Sequence, residues 1–140
     1  MRDERSLFAE RPVDEREVVG RKSFAIDPAT PDEAAADMEQ LDYDFWLFHD
    51  LASDAEALIE HDPAGGYRLQ RARPVDAEAG PVAIDVAVLP QAPPTVSLDE
   101  AVRQLEASGQ PLVFFVDADS GRGNVVYRRY DGHYGVLTPA

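Results

Sequence analysis

The sequence predicts an α+β fold: two tandem β-α-β-β-β repeats, each with one short helix and an antiparallel hairpin, packed as a pseudo-twofold pair. Three observations predict it. The chain is similar to itself at an offset of 67 residues. Two helix starts carry the same capping pattern. Two hairpins carry apolar residues in both strand phases, so one short helix cannot cover both faces of either sheet and a second layer is required.

Slid by 67 residues, PDEAAADMEQ at 31–40 lies over LDEAVRQLEA at 98–107. Asp32, Glu33, Ala34, Glu39, Phe48, Asp50, Ser53, Gly65 and Tyr67 fall on Asp99, Glu100, Ala101, Glu106, Phe115, Asp117, Ser120, Gly132 and Tyr134. The copies run over residues 17–72 and 81–140. Residues 1–16 read as a linker-like N-terminal segment, and 73–80 as a linker between the repeats.

The first strand is EVVGRKSFAI at 17–26, matched by VAIDVAVL at 82–89. Thr30-Pro31-Asp32-Glu33 places a hydroxyl at the N-cap, Pro at N1 and Glu at N3. Ser97-Leu98-Asp99-Glu100 reads as the same device. The helices span 31–41 and 98–107, with Ala34, Met38 and Leu41 on one face and Leu98, Ala101, Val102 and Leu105 on the other's. Gly109 suits a left-handed C-terminal position; Asp42 or Tyr43 stands at the first helix end. Apolar strands follow at 45–48 and 112–116, then turns at 50–56 and 117–123.

The last two strands of each copy form a hairpin. Asp131-Gly132 predicts a two-residue type I′ turn, and 62–66 a longer loop. That turn puts Tyr127 opposite Val136 on one face and Val126 opposite Leu137 on the other. A unit of this size buries too little surface to be comfortable alone, which also calls for a second copy as the covering layer.

Composition narrows the function. The chain has 140 residues, 44% hydrophobic and 9% aromatic, enough to bury a core. Asp plus Glu number 27 against 13 Lys plus Arg, and the net charge of -14 disfavours binding of phosphate backbones by the whole surface. The absence of cysteine excludes disulfides and thiolate chemistry. The charged start MRDERSLFAERPVDER is no secretory signal, and no run approaches the ~20 apolar residues of a membrane helix. A cytoplasmic protein is expected.

Candidate chemistry is sparse. DADSGRG at 117–123 opens like a calcium loop, but Gly121 takes the third ligand position and Arg128 stands where the bidentate Glu belongs, so it reads as a turn. His49, His61 and His133 lack metal-site spacing. No nucleophile–base–orienter set can be built from spacing, so neither an enzyme nor a cofactor or small-molecule substrate is expected. Arg122, Arg128 and Arg129 with Tyr127, Tyr130 and Tyr134 could form a stacking platform for single-stranded RNA. Cross-strand packing, with Arg129 on Tyr134, is the favoured reading.

Certain strings point further. Arg21-Lys22-Ser23-Phe24, Glu33-Ala34, Met38-Glu39, Asp42-Tyr43-Asp44-Phe45 with Leu47-Phe48, and Leu98-Asp99-Glu100-Ala101 recur in one family, and Asn124-Val125-Val126-Tyr127-Arg128-Arg129-Tyr130-Asp131-Gly132-His133-Tyr134-Gly135 is the most specific. The chain resembles the C-terminal domain of long-form ribosome hibernation promoting factors over residues 17–140, in the tandem form of the actinobacterial type. The resemblance implies a cytoplasmic, stress-related factor of translation whose C-terminal domain self-associates. The family's basic N-terminal ribosome-binding domain has no counterpart here, and residues 1–20 resemble the end of the linker that follows it. Ribosome contact is therefore expected through that missing domain, and self-association within the chain or as a homodimer. Phe45, Phe48, Phe114, Phe115, Val126, Tyr127, Tyr134 and Val136 are expected to build the paired core. The alternative assigns Arg122, Arg128, Arg129, Tyr130 and His133 to RNA or partner contact.

Overall fold

The computed structural model describes residues 16–24, 27–75 and 85–139. Most of the linker-like segment 1–16, most of the linker 73–80 and the start of the strand at 82–89 lie outside the described residues. In chain order the elements are β1 (Val18–Phe24), β2 (Pro28–Ala29), α1 (Pro31–Gln40), β3 (Phe45–Asp50), β4 (Ala55–His61), β5 (Tyr67–Arg71), β6 (Val86–Val88), β7 (Thr95–Val96), α2 (Leu98–Ser108), β8 (Leu112–Asp117), β9 (Gly123–Arg128) and β10 (Tyr134–Pro139).

Two compact units result, Ala25–Pro94 and Met1–Phe24 with Thr95–Ala140. Each holds one five-stranded sheet, in the order β2-β3-β4-β5-β6 and β1-β10-β9-β8-β7. From the short strand before each helix to the end of the last hairpin, the elements repeat at the 67-residue offset read from sequence. The first strands do not stay with their own repeats. β1 pairs in parallel with β10, and β6 pairs in parallel with β5. Each sheet thus takes its outer strand from the sequence that opens the other repeat.

The helix starts are local solutions to unpaired N–H groups. Thr30 accepts from the Glu33 N–H at 3.2 Å while the Glu33 carboxylate accepts from the Thr30 N–H at 3.0 Å, a complete capping box. Ser97 makes only half of one: it accepts from the Glu100 N–H at 3.2 Å, but the Glu100 carboxylate turns to Arg103. An i,i+3 guanidinium outcompetes the cap there. The α2 helix ends on Gly109 at φ 68, while Asp42 at φ 58 takes the left-handed position after α1.

In the 25–94 unit, α1 lays Ala34, Ala35 and Met38 on Phe48, Ala57, Ile59 and Leu69. In the other unit, α2 lays Ala101 and Leu105 on Phe115, Val126, Tyr134 and Val136. The opposite sheet faces are also apolar: Leu47 pairs with Leu58, Phe114 with Val125, and all four are buried. The sheets are therefore two-faced, as the strand phases require.

The second hairpin departs from the expected register. Tyr127 lies opposite Gly135, Val126 opposite Val136, and Val125 opposite Leu137. The connection is residues 129–133, closed by Arg129 N–H to His133 O at 2.9 Å and Gly132 N–H to Arg129 O at 3.2 Å. It matches the first hairpin's loop at 62–66 in length. Asp131-Gly132 is thus part of a five-residue loop and not a two-residue turn. The one-residue shift moves Val126 and Val136 together onto the helix face and Tyr127 onto the other. Gly135 is what the Tyr127 ring rests on, since a Cβ there would lie 2.3 Å from Tyr127 Cζ.

Candidate functional site

The candidate site is a carboxylate hub on the helix face of the β1-containing unit. Glu106, in the last turns of α2, receives Arg16 Nη1 at 2.6 Å on Oε1 and 2.8 Å on Oε2, and Arg128 Nη1 at 3.2 Å. The Tyr134 hydroxyl donates to the same Oε1. Arg128 also donates Nη2 to Leu105 O at 2.9 Å and Nε to Gln110 O at 3.0 Å. The Leu105 carbonyl belongs to the negative C-terminal end of α2, where a guanidinium is stabilised, and Gln110 lies just past the Gly109 cap. Beside the hub, Glu17 N–H donates to His133 Nδ1 at 2.9 Å and Tyr134 N–H to Glu17 O at 2.9 Å. The chain entering β1 is thereby held by side chains from α2, β10 and the 129–133 loop.

Burial works to raise the Glu106 carboxyl, but the Tyr134 hydroxyl and the Arg16 and Arg128 guanidiniums outweigh it and hold it below its ordinary value of 4.5. Burial first, then Glu106, pushes the Tyr134 phenol above its ordinary value of 10.0 against the opposing pull of Arg16. A carboxyl depressed on folding adds stability that is full above its unfolded value and is lost as pH falls through the folded one. Replacing Glu106 with Gln is expected to lower stability by about 1–2 kcal/mol near neutral pH. The gap from the parent should close on acidification below the usual carboxylate range. Thermal melts from about pH 7 to about pH 3 check this; a gap independent of pH would refute it.

The other unit carries a reduced version. At the same offset Glu39, His61 and Tyr67 stand for Glu106, Arg128 and Tyr134. His61 Nε2 bonds to Glu39, and its ring stacks on Tyr67 with centroids 5.6 Å apart. Burial, then Glu39, raises the Tyr67 phenol.

A second polar cluster is particular to the 25–94 unit. Asp50 is fully buried; its Oδ2 accepts from Arg71 Nε at 2.7 Å, Ser53 Oγ at 2.7 Å and Ser53 N–H at 3.1 Å. Asp50 Oδ1 has no hydrogen-bond partner among the described residues.

The residues singled out from sequence are distributed as follows. Phe48 lies in the α1 core, and Phe115, Val126, Tyr134 and Val136 in the α2 core. Phe45, Phe114 and Tyr127 fall on the opposite faces by strand alternation. Arg129 pairs with Asp131 at 3.4 Å instead of stacking on Tyr134, whose ring points to Glu106. The backbone N–H of His133 donates to Asp131 at 3.0 Å, and this bond is the main reason that carboxyl is lowered. Tyr130 is 67% exposed at the loop tip. Arg122 is half-buried ahead of β9. Glu106, Arg16, Asp50 and Arg71 were not singled out. A signal for two of these positions is present in the sequence: Glu39/Glu106 and Asp50/Asp117 are polar identities between the diverged copies, whereas Arg16 and Arg71 have no such counterpart.

Among the described residues no group of three or more His, Cys, Asp or Glu could hold a metal ion, and no helix is long and apolar enough to cross a membrane.

Comparison with known proteins places these units. The sequence model described as Sigma 54 modulation/S30EA ribosomal protein C terminus matches twice, at residues 13–69 and 90–136. A dormancy associated translation inhibitor of Mycobacterium tuberculosis is 36% identical over 132 residues, covering 87% of this chain and 47% of the relative. A ribosome hibernation promotion factor of Bradyrhizobium diazoefficiens is 46% identical over 44 residues, 31% of this chain and 22% of the relative. Another, of Lactococcus lactis subsp. cremoris, is 49% identical over 39 residues, 28% of this chain and 21% of the relative. The chain spans about half the length of its mycobacterial relative.

Proposed function

The chain belongs to the Sigma 54 modulation/S30EA ribosomal protein C terminus family, the C-terminal domain of long-form ribosome hibernation promoting factors, and we propose that it is the self-association module of such a factor. The observation that carries this reading is the second apolar face of each sheet, centred on Leu47 and Leu58 in one and on Phe114 and Val125 in the other. A sheet with one helix on one face requires an apolar partner for its other face. A second copy of the same unit supplies a face of the same shape and chemistry. On this reading the mate of each such face is another copy of the unit.

The reading extends to the cell as follows. The family regulates translation and is not an enzyme family, so the module acts by holding proteins together during stress, in the cytoplasm. Ribosome contact belongs to sequence that the longer mycobacterial relative carries, since a net charge of -14 repels ribosomal RNA. The RNA-contacting alternative loses its central cation: all three Arg128 nitrogens face Glu106 or the end of α2.

Light scattering of the chain over a concentration series, with Tyr127→Asp beside the parent, tests the proposal. The parent is expected to be monomeric at low concentration. Tyr127→Asp puts a charge on the second face and is expected to lose about 2 kcal/mol or more of stability and to bind an apolar dye. A folded Tyr127→Asp chain with unchanged mass, stability and dye binding would sink the pairing. Tyr127→Phe, which keeps the ring over Gly135, should behave as the parent.

A further inference from the structure

The two repeats finish their helices differently. At the end of α2, Arg128 forks across three acceptors: Leu105 O at 2.9 Å, Gln110 O at 3.0 Å and the Glu106 carboxylate at 3.2 Å. Arg16 brings a second guanidinium to Glu106. At the 67-residue offset the corresponding acceptors are Met38 O, Tyr43 O and Glu39. The residue standing for Arg128 there is His61, which bonds to Glu39 and stacks on Tyr67. Among the described residues Glu39 receives no guanidinium, and the last turn of α1 has no basic residue.

The surface beside Glu39 also differs from its counterpart. Ser108-Gly109-Gln110-Pro111 in one repeat is Leu41-Asp42-Tyr43-Asp44 in the other. Leu41 and Tyr43 stand 54% and 55% exposed. The Tyr43 ring stacks on Trp46, with centroids 5.6 Å apart and planes at 29°. Trp46 in turn packs against the α1 core, so the pair is seated on a fixed base. Asp42 and Asp44 are exposed, and the Glu39 side chain is half-exposed. In the sequence no Lys or Arg occurs between Lys22 and Arg68. Aromatic faces, carboxylates and the negative end of a helix thus meet at one corner, and each attracts a cation.

We propose that this corner binds an arginine side chain of a basic partner polypeptide. The guanidinium lies against the Tyr43–Trp46 pair and Glu39, as Arg128 lies against Glu106 and the end of α2. The second repeat therefore shows the chemistry of the ligand that the first one takes from outside. Arginine suits the corner better than lysine, because its planar fork reaches a carboxylate and a carbonyl together and stacks on an aromatic face. Exposed Leu41 offers an apolar contact to a residue flanking that arginine, and the surrounding carboxylates repel nucleic acid. The corner lies on the helix face, so this contact is independent of self-association through the opposite faces.

Trp46 is the only tryptophan of the chain, so its fluorescence reports the corner directly. The probe is a short peptide of glycine, leucine and arginine, titrated into the intact chain at about 0.15 M salt. A saturable change in Trp46 emission is expected, with a lysine version of the peptide binding about fivefold more weakly. Tyr43→Ala and Glu39→Gln, each checked for folding by circular dichroism, should weaken the arginine peptide about fivefold to tenfold. Asp119→Asn removes an exposed acid of the other repeat and should bind as the parent does. Equal binding of the two peptides, or an equal loss with Asp119→Asn, would reveal diffuse attraction to net charge and overturn the proposal. So would Trp46 emission that does not respond to the peptide. Emission that changes with chain concentration alone would put a second copy on the corner, and a response to a single-stranded oligonucleotide would put RNA there. Either result overturns the proposal as well.

Discussion

Replacing Arg71 with Met is expected to destabilise the 25–94 unit by about 3–5 kcal/mol, because it leaves Asp50 buried without its counter-charge. Asp50 is fully buried, and one of its oxygens already lacks a partner among the described residues. Among the described residues, desolvation of the carboxylate is therefore compensated by Arg71 and Ser53. Removing both charges together has the opposite expectation. Asp50→Leu with Arg71→Met should recover most of the loss, since a well-packed apolar pair costs no ion desolvation. Urea unfolding of the parent, Arg71→Met and the double variant checks the sign. A double variant as unstable as the single would show that the pair is needed for more than charge compensation. The repeat counterpart of Arg71 is Thr138, so the pair is a device of one unit only.

The second large effect is expected for Phe115→Ala, about 3–5 kcal/mol. Phe115 is 1% exposed and packs under α2 in one cluster with Val126 and Val136. Against a total stability of about 5–15 kcal/mol, such a loss consumes a large part of the margin. Phe48→Ala removes the equivalent ring under α1 and should cost a similar amount. Loss of less than about 1 kcal/mol by urea unfolding in either variant would mean that the helix-side core is not where the fold is held.

Much of this architecture was legible because it is local. The Thr30–Glu33 box, the left-handed Gly109 and the two amphipathic helices depend on residues within one turn of each other. The repeat was legible because the same elements must recur at the same spacing. The hairpin register was not: Asp131-Gly132 suits a two-residue turn, yet the loop spans 129–133 as its counterpart spans 62–66. Tyr127 can seat its ring only over a residue without a Cβ, and the observed register gives it Gly135. A contact across strands thus decided a turn that local propensity left open.

The hub was hidden for a related reason. Arg16 and Glu106 are far apart in sequence, and nothing near either residue names the other. By itself the sequence determined the repeat, the helices with their ends, and two sheets that need covering on both faces. Only the tertiary structure decided which strand completes which sheet. Main-chain hydrogen bonds would seat β1 and β6 alike, whereas a guanidinium withdrawn from water is stable only where a carboxylate awaits it.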